Sequence, residues 1–391
     1  MKNFLSIYIH YPFCLSKCPY CDFNSHVQKN INHQDFLCAY EIELENFYQK
    51  IGDRKITTIF FGGGTPSLMP LDLVAGILKK INDLWEVDEN CEISMEANPT
   101  SFEAQKFASL KTIGINRLSL GIQALNDDDL KFLGRNHNAK ESLQTIEMAA
   151  KIFDNFSFDL IYARPQQTLE NWQKELEAAI SFNIKHLSLY QLTIEKGTQF
   201  FSDFKNKKFT IPNSETAAQF YELTENITKA AGFKSYEISN YAKENYECAH
   251  NLAYWRGLDY IGVGAGAHSR IYFKNQENRY AINMQCAPEI WLKKVSEIGF
   301  GIQKIEKISK EELLEELILM ALRLEEGLHQ EILLTHFNKK ISDIFVIAKL
   351  EKLQQQKLII IDEDSLKISP QKRILSDAII SKIITSSLQT F

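Results

Sequence analysis

The first two hundred residues alternate between short apolar runs and longer stretches with helical periodicity. Few folds accept that pattern. Strands are predicted at residues 5–10, 57–61, 92–96, 117–122, 156–162 and 186–192. Helices are predicted between and after them at 33–50, 71–84, 102–112, 139–153 and 169–182, each with apolar residues recurring on one side. Six strand–helix units at this spacing imply βαβ connections and a parallel sheet. A doubly wound sheet and a full or partial (β/α) barrel both satisfy the pattern. In either, ligands gather at the carboxyl ends of the strands.

Beyond this array, residues 201–210 are polar and lysine-rich and read as an exposed connection. Residues 214–231 are predicted helical, and 261–269 form a glycine-rich apolar stretch. From about 305 a separate pattern begins, with helices at 310–323 and 342–355, a strand at 358–362, a turn at 363–365, a second short strand and a helix near the end. Helices followed by a small hairpin suggest a winged-helix-like module. The expected organisation is a core over 1–230, an extension over 231–304 and a C-terminal domain over 305–391. Residues 301–391 carry 13 basic and 14 acidic residues, and the whole chain has a net charge of -6, so no nucleic-acid partner is expected. No run of apolar residues is long enough for a membrane span, and the first residues show no signal-peptide pattern, so a cytoplasmic protein is expected.

Three of the seven cysteines, Cys14, Cys18 and Cys21, crowd into one loop directly after the first strand. Ser, Lys, Pro and Asp among and beside them mark a loop rather than core. Thiolates suit iron–sulfur clusters and zinc. Zinc would need a fourth ligand, and His26 is available for a Cys3His site. A [4Fe-4S] cluster held by three thiolates would instead keep one iron open. Cys38, Cys91 and Cys286 read as ordinary buried thiols.

Other polar groups fall at the same ends of the strands. Gly62-Gly63-Gly64-Thr65-Pro66 ends the second strand, where glycine permits close backbone approach. Glu96 ends the third strand, Gln123 the fourth, Arg135 follows in a loop, and Asp159 lies in the fifth. Singly, each could cap a strand or form a salt bridge. Together they describe a polar ring at a barrel mouth.

The run Tyr8-Ile9-His10-Tyr11-Pro12-Phe13-Cys14-Leu15-Ser16-Lys17-Cys18-Pro19-Tyr20-Cys21-Asp22-Phe23 resembles the radical S-adenosylmethionine (SAM) enzymes, in the branch of oxygen-independent coproporphyrinogen III oxidases. The resemblance implies a partial (β/α)6 barrel with a small C-terminal winged-helix-like module. It implies a [4Fe-4S] cluster on Cys14, Cys18 and Cys21, and SAM chelating the fourth iron. It places Tyr8, Tyr20 and Asp22–Phe23 around cluster and SAM, with Gly63, Gly64 and Thr65 at the methionine part. Glu96, Gln123, Arg135 and Asp159 would serve the SAM ribose, amino group and carboxylate, and Thr193 and Ala267 the adenine side.

A second stretch, Cys248-Ala249-His250-Asn251-Leu252-Ala253-Tyr254-Trp255, pairs an imidazole with two large aromatics. A packed histidine among aromatics is ordinarily structural, yet imidazole is also an axial haem ligand. The H-N-x-x-Y-W pattern resembles that of the haem-chaperone branch of the same family, and His250 is the expected haem ligand. The oxidases read C-x3-C-x2-C-x-C, whereas this chain has Phe23 at the last position and starts almost at the motif. The expected function is a haem chaperone that passes haem to an acceptor, respiratory and membrane-associated. The alternative is decarboxylation of coproporphyrinogen III. The electron donor is unspecified, and a homodimer is compatible with the chain.

Overall fold

The computed structural model describes residues 3–389. Six strands run parallel in chain order: β1 (Phe4–Tyr11), β2 (Lys55–Gly63), β3 (Glu86–Ala97), β4 (Arg117–Gln123), β5 (Asn155–Tyr162) and β6 (His186–Gln191). The antiparallel strand β7 (Asn240–Ala242) and a two-residue edge, Lys234–Ser235, continue the sheet past β6. On the other side, β8 (Tyr260–Val263) pairs parallel with β1. The antiparallel strands β9 (His268–Tyr272), β10 (Arg279–Met284) and β11 (Ile302–Lys307) follow it. Sequential neighbours rule out a doubly wound order, in which the sheet reverses direction from its first strand. Among the described residues β6 does not pair with β1, so the arrangement is a partial (β/α)6 barrel.

The sequence of β1 shows why. Leu5, Ile7, Ile9 and Tyr11 point outward and are buried under helices such as His33–Ile51. Ser6, Tyr8 and His10 point the other way. The inner faces of β3, β4 and β5 are also polar, with Glu96, Ser119, Gln123 and Asp159. Sequestration of one apolar face drives assembly, and the opposite face is left free for chemistry.

Several elements differ from expectation. Residues 102–112 form two helices, Ser101–Ala104 and Phe107–Thr112. β3 starts at Glu86, six residues early, because Glu86 and Asp88 pair with Lys55 on β2. The connection read at 201–210 is in its first part a helix, Gln199–Lys205, anchored by buried Phe200.

The sheet runs to Lys307, and a second apolar core gathers residues from Ile308 to Ile383. This module contains helices Lys310–Ala321, Gln330–Phe337, Ile347–Gln355 and Ser376–Ser387. It also holds a three-stranded sheet of Leu328–His329, Ser365–Ile368 and Ile359–Ile361. The predicted helix at 342–355 is interrupted at Phe345, which instead bridges to Leu388. The module docks through Arg256–Glu326 and Arg270–Glu316 ion pairs and through Leu324, packed with Tyr236 and Trp255. No helix among the described residues is long and apolar enough to cross a membrane.

Candidate cofactor cavity

The carboxyl ends of β1–β6 open into a cavity of about 700 Å³. Cys14, Cys18, Cys21, Tyr20, Gly63, Gly64, Thr65, Glu96, Gln123, Arg135, Asp159 and Thr193 all line it. Residues from seven separate stretches of chain thus meet at one mouth.

The cysteine loop is held by the backbone of the glycine run. Gly64 N–H donates to the Tyr11 carbonyl at 2.7 Å and Thr65 N–H to that of Phe13 at 2.9 Å. A Cβ on Gly64 would stand 2.5 Å from the Phe13 carbonyl oxygen. On Gly63, with φ +110°, it would strike the His10 ring at 2.6 Å. These glycines are therefore required by the approach of β2 to the loop, whatever ligand lies above.

A chain of hydrogen bonds links the arginine to the thiols. Arg135 Nη1 lies 3.4 Å from Cys18 Sγ and 3.3 Å from the Tyr20 hydroxyl, while Nη2 donates to the Gly121 carbonyl at 2.9 Å and to Asn98 Oδ1. Asn98 Nδ2 donates to Thr65 Oγ1 at 3.2 Å, and Thr65 Oγ1 donates to Cys14 Sγ at 3.4 Å. Burial pushes the Cys14 and Cys21 thiols up, and the Thr65 hydroxyl and the Phe23 backbone N–H offset part of this. The loop thus supplies donors for thiolates, although a bound cation is still needed to favour them. Among the described residues no three such side chains converge on an ion-sized point. His26, the candidate zinc ligand, turns its Nε2 to Asn24 Oδ1 and the Cys286 carbonyl, each at 3.2 Å. Sulfurs that bound a cavity suit a multi-iron group, whose thiolates bind different irons, better than a single ion.

Two carboxyl groups stand on the floor. Glu96 accepts from Gly63 N–H at 3.2 Å, and burial followed by the nearby Asp159 charge pushes it up to about 8. Asp159 Oδ1 is buried with no hydrogen-bond partner, and burial raises that carboxyl to about 6. A group whose folded pKa is raised binds more protons folded than unfolded, so its stabilising contribution is lost as pH rises. In protein free of cluster and SAM, unfolding free energy is expected to fall between roughly pH 5 and 8, by at most about 1.4 kcal/mol per pH unit for Glu96. Glu96→Gln should flatten that slope in urea titrations, and an unchanged slope would reject the assignment.

Three expected contacts are not brought into the cavity. Tyr8 lies below it, its hydroxyl 3.2 Å from His10 Nδ1, and Ala267 is buried in the core. His250 is 1% exposed. Its Nδ1 is 2.8 Å from Thr58 Oγ1 and its Nε2 2.7 Å from the Tyr254 hydroxyl, and its ring stacks on Phe60. Burial and then the Arg117 charge lower it to about 3, so it is neutral. Both ring nitrogens are thus engaged within the chain in this arrangement, and the histidine stands outside the cavity wall. Its helix, Ala249–Trp255, instead closes the lower end of the barrel, where Glu92 of β3 accepts the N–H groups of Ala249 and His250.

The sequence reading missed other wall residues. Asn98, Ser119 and Tyr190 belong to the barrel. Arg323, Arg373, Ile374 and Asp377 come from the C-terminal module. The latter lie more than a hundred residues beyond the end of β6, and no local pattern marks them.

Comparison with known proteins is consistent with this architecture. Residues 8–179 match the radical SAM superfamily and residues 308–375 the HemN C-terminal domain. Radical S-adenosyl methionine domain-containing protein 1, mitochondrial, of Danio rerio is 35% identical over 384 residues, covering 97% of this chain and 86% of the relative. Heme chaperone HemW of Buchnera aphidicola subsp. Acyrthosiphon pisum is 37% identical over 363 residues, covering 92% and 93%. The Escherichia coli coproporphyrinogen III oxidase HemN superposes with a TM-score of 0.80 at 21% identity, over 97% of this chain and 90% of that one.

Proposed function

Because the chain belongs to the radical SAM superfamily, in its HemW-like branch, we propose that it is a haem chaperone that binds haem and passes it to an acceptor protein. The observation that carries this reading is the similarity, over nearly the full length of both proteins, to relatives named heme chaperone. Likeness to the oxidase rests on fold alone.

Superfamily membership implies a [4Fe-4S] cluster and SAM. The residues present fit both groups. Cys14, Cys18 and Cys21 are the three thiols on the cavity wall. Asp159 has a buried oxygen without a partner, and Arg135 Nε is likewise buried and unpartnered. Unsatisfied buried polar atoms call for a polar ligand. When bound, cluster and SAM supply one-electron chemistry or complete each other's coordination. The Arg135 guanidinium offers charge to a carboxylate, and Glu96 and Asp159 offer oxygens to hydroxyl or ammonium groups. Thr65 and Arg135 hold Cys14 and Cys18 in place.

The test is made on one anaerobic preparation with reconstituted cluster, with and without SAM. Saturable one-to-one haem binding, with no conversion of coproporphyrinogen III to protoporphyrinogen IX, is the expected result. Turnover without haem binding would overturn the reading in favour of the oxidase.

A further inference from the structure

Arg373 is a cation without a counter-ion. Its residue is 6% exposed, on the cavity wall, and no carboxylate among the described residues pairs with it. Its Nη1 donates to the carbonyl and hydroxyl of Ser235, and its Nη2 to the Arg323 carbonyl at 3.3 Å. Backbone dipoles orient the group but leave its charge uncompensated, and a buried unpaired charge is costly. Arg323 lies beside it on the same wall. Its guanidinium stacks on Trp255 at 5.4 Å, its Nη1 reaches the exposed Asp377 at 2.8 Å, and its Nε is buried without a partner. On the cavity wall these two arginines face one solvated acid, Asp377, while Glu225 and Glu237 share the surroundings of Tyr221 with Arg373. This end of the cavity borders the edge strand past β6, whereas the cysteine loop follows β1 and has its own arginine, Arg135.

The rim has a different character. Leu15 and Phe23, on the cysteine loop, are 67% and 59% exposed, and Ile374 of the module is 40% exposed. All three line the cavity. Apolar side chains left in water on both sides of one mouth mark a surface that gains by covering a flat apolar body.

We infer that Arg323 and Arg373 form the seat for the carboxylates of the cargo, while Leu15, Phe23 and Ile374 cover its apolar ring. This deepens the haem-chaperone reading and rests on it. The ligand class is a planar apolar macrocycle with acidic side arms, and haem with its two propionates has that form. Trp255, the last residue of the H-N-x-x-Y-W run, holds the plane of the Arg323 fork, so it acts as a positioning residue for the carboxylate seat.

The test compares haem with iron octaethylporphyrin, which has the same ring without carboxylates, in binding titrations on the cluster-loaded full chain. Arg323→Met keeps an apolar stem against Trp255. It should weaken haem binding about tenfold or more, as loss of a charged hydrogen bond implies, while iron octaethylporphyrin stays within about twofold. Asp377→Asn removes the acid that competes for Arg323 and should tighten haem binding without altering the neutral-armed ring. SAM affinity should be unchanged in both variants. Equal losses for the two porphyrins, an unchanged haem affinity, or a fall in SAM affinity would each overturn the assignment. If the unmodified protein binds neither porphyrin, the chaperone reading itself fails.

Discussion

Protein carrying Cys18→Ser is expected to fold but, after anaerobic reconstitution, to retain essentially none of the iron and sulfide expected of the parent chain. The same result is expected for Cys14→Ser and Cys21→Ser. All three side chains are partly exposed on a loop, and none belongs to an apolar core, so their loss removes ligands without opening a cavity in the fold. Serine is a poor ligand for a soft iron–sulfur group, and two thiolates do not hold one. Cys38→Ser, Cys91→Ser and Cys286→Ser should keep full iron content, because those thiols lie outside the cavity wall; Cys91 is buried as expected, whereas Cys38 and Cys286 are exposed. Iron and sulfide analysis beside circular dichroism checks the series. Retention of iron in all three loop variants would remove the cluster from this site.

The largest stability effect is expected at Arg164, just past β5. The side chain is 1% exposed, pairs with Asp129 at 2.9 Å and forms a two-pronged contact with buried Glu175. Glu175 also accepts the Leu125 N–H at 2.7 Å, and Arg164 approaches the carbonyl of Gln123, whose φ is +71°. The pair thus ties down the turn that carries Gln123 to the cavity. Arg164→Leu should cost about 3–5 kcal/mol, because it strands the Glu175 charge in the interior. Adding Glu175→Leu should recover a large part of that loss, since the stranded charge goes with it. Urea unfolding of the two single variants and the double variant closes the cycle, and strictly additive losses would show that the pair is not coupled.

Neither Arg164 nor Glu175 stands out in the sequence, whereas Glu96 and Gln123 do, and the difference is physical. Strand ends are legible because the apolar alternation that defines a strand stops there, so a polar residue at the stop is conspicuous. The strands themselves were readable to within a residue or two wherever buried aliphatics set the period, as in β1 and β5. β3 was cut short because its first half, Glu86–Asn90, is polar and relies on cross-strand ion pairs with Lys55. The Cys-x3-Cys-x2-Cys spacing is a local pattern and could be read directly. Arg373 is not, because its significance lies in facing a cavity whose other wall is built three hundred residues earlier. His250 was conspicuous for its aromatic neighbours. One of those neighbours, Tyr254, packs against it, and so do Phe60 and Tyr8 from the barrel interior.

With the helix from Ala249 to Trp255 packed beneath the barrel, the floor of the cavity is reached past the mouth that Phe23 and Ile374 rim, and that arrangement imposes a queue. What sits deepest, against Glu96 and Asp159, has to enter before anything occupies the rim between Phe23 and Ile374, and it has to leave afterwards. An occupied rim would trap SAM, whereas a filled depth leaves the rim accessible for exchange with a partner. On the proposed haem-chaperone function, loading and delivery would then repeat above a cofactor seated in the depth, without emptying the well between rounds.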